Sequence, residues 1–328
     1  MEEEAVNTFE PRTDLSAVHA AIAAVKAEIA KVIVGQHQMI DLLTAGLLAN
    51  GHILIEGVPG VAKTLAAKLL ASTIDAKFSR IQFTPDLMPA DVLGTSIFNP
   101  QSKEFEYKKG PIFGNIILID EINRAPAKTQ AALFEVMEER QITNDGISHF
   151  LNQPFMVIAT QNPIEQEGTY RLPEAQLDRF LFKIEVKYPQ VEEEIEILKA
   201  ANLQLSAHIL DKVEKVLTAT QVQDLQAKVR GVLLDEKLLQ YIATLVNETR
   251  HNPSIYLGAS PRASIAVMNC AKAIAVMNGR DFVTPDDIVF VLPHILRHRI
   301  MLTPEREMEG ITPDDIIAEI LKAVAVPR

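Results

Sequence analysis

The stretch Ile53-Leu54-Ile55-Glu56-Gly57-Val58-Pro59-Gly60-Val61-Ala62-Lys63-Thr64 decides the fold. A short apolar run predicts a strand at 53–56. It enters a Gly/Pro loop, ends in Lys-Thr and continues into a helical stretch, Leu65 to Ala71. That strand–loop–helix order is the context a phosphate-binding loop requires. Glycines let backbone N–H groups turn inward around phosphate oxygens, and the helix N-terminus adds positive potential. Lys63 is placed to meet the β- and γ-phosphates of ATP, and Thr64 to coordinate Mg²⁺. One position departs from the usual pattern: Ala62 puts a methyl just before the lysine, where backbone and phosphate come closest.

Downstream of this loop the sequence predicts further strands at 80–83, 115–120, 155–161 and 181–186, separated by helical stretches. Such alternation implies a largely parallel sheet with crossover connections. An N-terminal helix carrying Val18, Ile22, Val25, Ile29 and Val32 precedes it, leading into Ile33-Val34-Gly35-Gln36. After Tyr188-Pro189 the strand signals stop, and amphipathic patterns such as Ile195/Leu198, Leu238/Ile242/Leu245, Ile265/Met268 and Ile316/Ile320 predict an all-α second domain. Two of its helices open alike, Thr284-Pro285-Asp286-Asp287 and Thr312-Pro313-Asp314-Asp315, which read as helix caps. The domains expected are 1–189 and 190–328, and a chain of 328 residues is long enough for each to bury its own core.

The run Ile116-Ile117-Leu118-Ile119-Asp120-Glu121 reads as a buried strand whose two terminal acids reach the carboxyl edge of the sheet, where ligands bind. Asp120 would hold Mg²⁺ through water and Glu121 would polarise the attacking water. Asn162, after the apolar run Phe155 to Ala159, is placed to orient that water and contact the γ-phosphate. Arg179, in Gln176-Leu177-Asp178-Arg179-Phe180, supplies a cation for charge developing on the transferred phosphoryl group.

In order along the chain these segments resemble the MoxR family of AAA+ ATPases. The likeness rests on Val34-Gly35-Gln36, the loop from Gly57 to Thr64 with its Ala62, Thr84 to Gly94, Gly110-Pro111-Ile112-Phe113, Ile119 to Arg124, Ala159 to Pro163, Leu172 to Phe180 and Gly258 to Ala263. It implies a P-loop NTPase fold of the AAA+ type: an αβα nucleotide-binding domain with a parallel sheet, then a helical lid. It further implies that Ala62 is the family's own form of the loop and that Val34 to Gln36 and Leu65 help hold the nucleotide. Asn162 would sense the γ-phosphate, Arg179 would reach a neighbouring subunit's ATP, and Arg262 would be a lid-borne sensor to the same subunit's phosphates. A finger supplied in trans requires a head-to-tail ring, in such proteins usually a hexamer. The expected work is chaperone-like maturation or activation of a client complex with a von Willebrand factor A domain protein. Arg171 stands where such proteins more often carry a second proline.

Two other classes remain open: an assembly switch with little turnover, and a DNA-acting or magnesium-chelatase-type subunit. A formal net charge of −11 weighs against nucleic acid, and five tyrosines with no tryptophan offer no base-stacking platform. No apolar run approaches the roughly 18 residues of a membrane-spanning helix. The absence of a basic, apolar leader after Met1 and the single Cys270 lead to the expectation of a cytoplasmic protein. Cys270 reads as a core residue. His294 and His298, four apart with no third ligand nearby, read as a solvated basic helix end rather than a metal site. The segments 83–94 and 141–152, the latter with an Asn144-Asp145-Gly146 turn, read either as contacts to a substrate or partner or as packing elements.

Overall fold

The computed structural model describes residues 15–163, 170, 172–202 and 212–327. Arg171 therefore lies outside the described residues. The chain opens with helices α1 (Ser16–Ala30) and α2 (His37–Leu48), strand β1 (His52–Gly57), helix α3 (Lys63–Ser72), and strands β2 (Ile74–Asp75) and β3 (Phe78–Gln82). Helix α4 (Pro89–Leu93) follows, with an antiparallel pair, β4 (Gly94–Asn99) and β5 (Glu104–Lys109). Next come β6 (Ile116–Asp120), α5 (Ala127–Glu139), a second antiparallel pair β7 (Gln141–Asn144) and β8 (Ile147–Phe150), β9 (Met156–Gln161), α6 (Glu174–Leu177) and β10 (Phe180–Val186).

All five strands predicted for the central sheet are present, in the order β10-β1-β9-β6-β3 and parallel throughout. Alternate residues face opposite ways. Ile53, Ile55, Leu118, Ile158 and Ile184 enter one apolar core, while Leu54, Ile117, Ile119, Val157 and Phe180 enter another. Because both faces are covered, these strands read as unbroken apolar runs.

The second half is helical: α7 (Val191–Asn202), then β11 (Leu217–Thr218), α8 (Ala219–Arg230), α9 (Glu236–His251), β12 (Ile255–Leu257), α10 (Pro261–Met277), α11 (Pro285–Leu296), β13 (Met301–Leu302), α12 (Pro304–Met308) and α13 (Pro313–Ala323). Three short strands correct the expectation that strands end near Tyr188. β11 pairs with β2 of the first half, and β12 with β13. Runs of two or three residues carry no periodicity, which is why the sequence does not announce them.

Two cores are present, and the sheet divides them rather than the boundary expected at 189/190. The larger continues from the α1/α2 side of the sheet into the lid through Val222, Leu245, Val267, Cys270, Leu292 and Ile317. Helix α10 lies against α1 and α2, which welds the lid to that face. Helix α7 departs from its amphipathic reading, with both Ile195 and Leu198 exposed.

The Thr-Pro-Asp-Asp segments are caps. The Thr284 N–H donates to Asp287 Oδ2 at 2.8 Å, and the Thr312 N–H to Asp315 Oδ2 at 2.9 Å. Cys270 is fully buried and burial pushes its thiol pKa up. The solvated histidine end is overturned, because His294 and His298 are both buried. The end of α11 turns inward against β10, so His298 Nε2 meets the Phe180 carbonyl at 3.0 Å. Burial brings the His294 pKa down to about 4, with the Arg297 charge adding to the effect.

Candidate active site

Glycine is required at Gly57 because a Cβ there would lie 2.8 Å from the Val186 carbonyl oxygen of β10. Gly60 turns the loop at φ +88°, in the left-handed region where glycine pays no steric penalty. Ala62 also adopts a left-handed conformation, φ 62°, immediately before α3 begins at Lys63. Ala62 thus keeps its methyl in a conformation that is costly for a residue with a Cβ. The first N–H groups of α3 have no partner within the helix, and face the loop as an anion site. The Lys63 ammonium is held by the carbonyl oxygens of Gly57 and, at 3.2 Å, Gln161. Its charge is thereby suspended at the mouth of the loop between β1 and β9.

Asp120 closes β6 and lies in register with Gln82 of β3. Thr64 Oγ1 donates to Asp120 Oδ1 at 2.9 Å, joining the start of α3 to the end of β6. Thr160 Oγ1 donates to the same oxygen at 3.3 Å, and Arg80 Nε donates to Oδ2 at 2.6 Å. Glu121 follows at φ 58°, a conformation uncommon for a residue with a side chain and often found where a site is constrained. Its N–H donates to Thr160 Oγ1 at 3.1 Å, while Gln82 Nε2 donates to its Oε2 at 2.8 Å. Arg124 Nε lies 3.2 Å from that same carboxylate oxygen. The turn therefore aims the two acids apart, Asp120 toward Thr64 and Glu121 toward the open pocket.

A cavity of about 430 Å³ gathers these groups: Pro59, Gly60, Lys63, Thr64, Asp120, Glu121 and Asn162 among its lining residues. Asn162 is buried, one residue past the end of β9. A neighbouring cavity of about 400 Å³ has a largely apolar wall from Val34, Gln36, Val61 and Leu65, facing Pro189 and Ile197 across the opening. Gln36 is left-handed at φ 52° and donates from Nε2 to the Lys187 carbonyl at 3.2 Å. Gly35 does not line this cavity but forms its turn at φ +66° against the Glu193 side chain. Val58 packs on the larger core instead of facing either cavity. The two cavities share Gly60, Ala62 and Leu65 and so make one continuous site, suited to a base at one end and phosphates at the other.

The oxygens of Thr64 and Asp120 suit a hard cation such as Mg²⁺, which keeps several waters and takes few protein ligands beside substrate phosphate. Among the described residues no group of three or more His, Cys, Asp or Glu forms a metal cage.

The two arginines lie elsewhere. Arg179 Nε is 3.7 Å from Glu138 Oε2, and Arg262 donates from a terminal nitrogen to Glu138 Oε1 at 2.8 Å. Both thus converge on one carboxylate at the end of α5, and neither lines the phosphate cavity. The resemblance implied that Arg262 reaches its own subunit's phosphates, but here it lies beside Arg179. Three further residues of the cavity, Arg80, Gln82 and Thr160, and Glu138 between the two arginines are not evident from sequence reasoning. Arg80 and Gln82 share one face at the carboxyl end of β3, and that alternation is the one signal that would have found them. Glu138 reads as an ordinary acid on a solvated helix face.

Fold and site together define a nucleotide-binding protein of the AAA+ class. Family models match in two places: the ATPase family associated with various cellular activities over residues 52–182, and the AAA lid domain over residues 247–320. The chain is 49% identical over 310 residues to the uncharacterized protein YeaC of Bacillus subtilis, covering 94% of this chain and 96% of that one. It is 43% identical over 310 residues to the chaperone MoxR1 of Mycobacterium tuberculosis, covering 92% and 81%. A crystal structure from Cytophaga hutchinsonii, of a protein provisionally assigned as an ATPase, superposes with a TM-score of 0.88 at 44% identity, covering 96% and 97%. The chain belongs to the MoxR family of AAA+ ATPases. Among the described residues no helix is long and apolar enough to cross a membrane.

Proposed function

We propose that this chain hydrolyses Mg²⁺-bound ATP at sites completed by a neighbouring copy in a ring, a hexamer, and uses the cycle to remodel, mature or activate a partner complex in the cytoplasm. The base occupies the cavity beside Val34 and Gln36, and Lys63 and the N–H groups of residues 60–65 hold the phosphates. Thr64 and Asp120 hold Mg²⁺, Glu121 polarises the attacking water and Asn162 contacts the γ-phosphate.

The observation that carries the ring is the pairing of Arg179 and Arg262 on Glu138, outside the cavity that contains Lys63, Asp120 and Glu121. An arginine that neutralises a transferring phosphoryl group must reach it, and two presented together on another face suit the phosphates of an adjacent copy. For Arg262 we therefore favour the neighbour's nucleotide over its own. The cavity also bridges the loop of α3 to Pro189 and α7, so nucleotide occupancy bears on how the lid meets the core. A von Willebrand factor A domain protein is the adaptor we favour, with a chaperone role in keeping with the printed name of the Mycobacterium tuberculosis relative.

The test mixes Arg179→Ala protein with Lys63→Ala protein, each slowed by orders of magnitude alone, under conditions where subunits exchange. Recovered hydrolysis supports the shared site. No recovery despite demonstrated exchange sinks it.

A further inference from the structure

Arg299, just past α11 in the lid, has a side chain that is 4% exposed. All five of its N–H donors find acceptors. Nε donates to Asp178 Oδ1 at 2.6 Å, one terminal nitrogen to the carbonyls of Leu181 (3.2 Å) and Ile295 (2.6 Å), and the other to those of Asp178 (3.0 Å) and Phe180 (2.6 Å). Four of the five acceptors therefore belong to residues 178–181, the segment that carries Arg179.

Burying a guanidinium is costly and is offset only when every donor is satisfied. If the lid needed only adhesion to β10, apolar packing would achieve it without that penalty. What the planar fork adds is direction, because it fixes several backbone carbonyls relative to one another. The same carboxylate ties in the second arginine. Asp178 Oδ2 accepts from Ser260 Oγ at 3.3 Å, and Ser260 precedes α10, whose second residue is Arg262. His298 adds a contact to the Phe180 carbonyl at 3.0 Å. Asp178 thus links the backbones that bear Arg179 and Arg262, while Glu138 links their side chains.

We propose that Arg299 is a positioning residue for phosphoryl transfer, holding residues 178–181 so that Arg179 is presented to the adjacent copy's ATP together with lid-borne Arg262. It acts through Arg179 and touches no phosphate. This rests on the shared-site reading above.

The experiment uses full-length Arg299→Gln and Arg299→Lys proteins beside Arg179→Ala. Turnover is expressed per ATP bound, so that misfolded protein does not count. Arg299→Gln lowers kcat by about 10²-fold, the effect of misplacing a reacting group by an ångström, with KM and ATP affinity held within about twofold. Arg299→Lys keeps the charge but not the fork, and does not restore kcat. The double variant Arg179→Ala/Arg299→Gln is no slower than Arg179→Ala alone, since the two act as a unit. Mixing Arg299→Gln with Lys63→Ala protein restores hydrolysis as it does for Arg179→Ala. The proposal is overturned by unchanged kcat in Arg299→Gln, by recovery in Arg299→Lys, by loss confined to ATP binding, or by an additive double variant. If Arg179→Ala is itself not rescued, the shared site falls and the proposal with it. If Arg179→Ala is rescued and Arg299→Gln is not, only the proposal falls.

Discussion

The hydroxyl of Thr64, at the start of α3, donates to Oδ1 of Asp120, at the end of β6, across 2.9 Å. Two segments more than fifty residues apart in sequence thus meet at a pair of oxygens of the kind Mg²⁺ selects. With Arg80 occupying Oδ2, the carboxylate is fixed in orientation, with Oδ1 beside Thr64 for the cation we propose. Thr64→Val preserves shape but removes one of the two oxygens. We expect ATP binding measured without Mg²⁺ to be unchanged, while the Mg²⁺ concentration for half-maximal hydrolysis rises about tenfold or more. An unaltered Mg²⁺ titration would remove Thr64 from the metal's coordination sphere.

Glu121 faces the pocket from a left-handed turn and shares its carboxylate with Gln82 and Arg124. Glu121→Gln keeps the shape and loses the proton acceptor. Turnover should drop by about 10²–10⁴-fold, the usual worth of a positioned base, with ATP affinity intact. A variant that turns over normally would leave water activation to another group.

The central sheet was legible because its strands are buried on both faces: Ile116 to Ile119 needs no alternation to be recognised. The loop at 57–64 was legible because its chemistry is local and contiguous. Contacts made across the fold were not. Glu138 matters only because Arg179 and Arg262 come to it from 41 and 124 residues away, which no sequence window contains. The pair β4–β5 was missed because Ile97, Phe98 and Phe105 are exposed while Tyr107 packs on the smaller core, so burial imposes no clear pattern on the hairpin. His298 misled for the opposite reason. A helix end followed by basic residues suggests solvent, but here the chain turns back into the body of the protein.

Ala62 holds φ 62° without glycine's freedom. A left-handed residue with a Cβ costs about 1–2 kcal/mol, part of which glycine returns to the unfolded chain as entropy. Ala62→Gly should therefore be neutral or stabilising by up to about 1 kcal/mol, whereas Ala62→Val, β-branched, should destabilise by more than that. Urea unfolding of the two variants decides it, and a clearly destabilised glycine variant would show that the methyl contributes packing we do not ascribe to it.

Glu138 keeps two guanidinium groups side by side that would otherwise repel. Glu138→Ala should scatter them, lowering kcat about tenfold with little change in KM, because the nucleotide cavity is lined by other residues. Steady-state ATPase kinetics at several ATP concentrations make the separation. A rise in KM at constant kcat would instead tie Glu138 to nucleotide binding.

His52 is fully buried, and burial brings its pKa from 6.5 to about 4, with the charge of Arg140 adding to the effect. The hydrogen bonds fix its protonation: Nδ1 accepts from the Val157 N–H at 3.0 Å, leaving Nε2 to donate to the Met137 carbonyl at 3.1 Å. A second proton would sit on Nδ1, facing another donor. His294 is held at about 4 as well. In each case the unfolded chain binds the proton more readily, so the stabilisation is complete above pH 6.5. It declines as pH falls from there to about 4, where the loss levels off. At full effect each histidine forfeits on the order of 3 kcal/mol. Urea midpoints measured between pH 7.5 and 5 should fall, and the fall should be shallower in His52→Gln, which cannot take up a proton. An identical pH slope in the variant would assign the acid sensitivity to other groups.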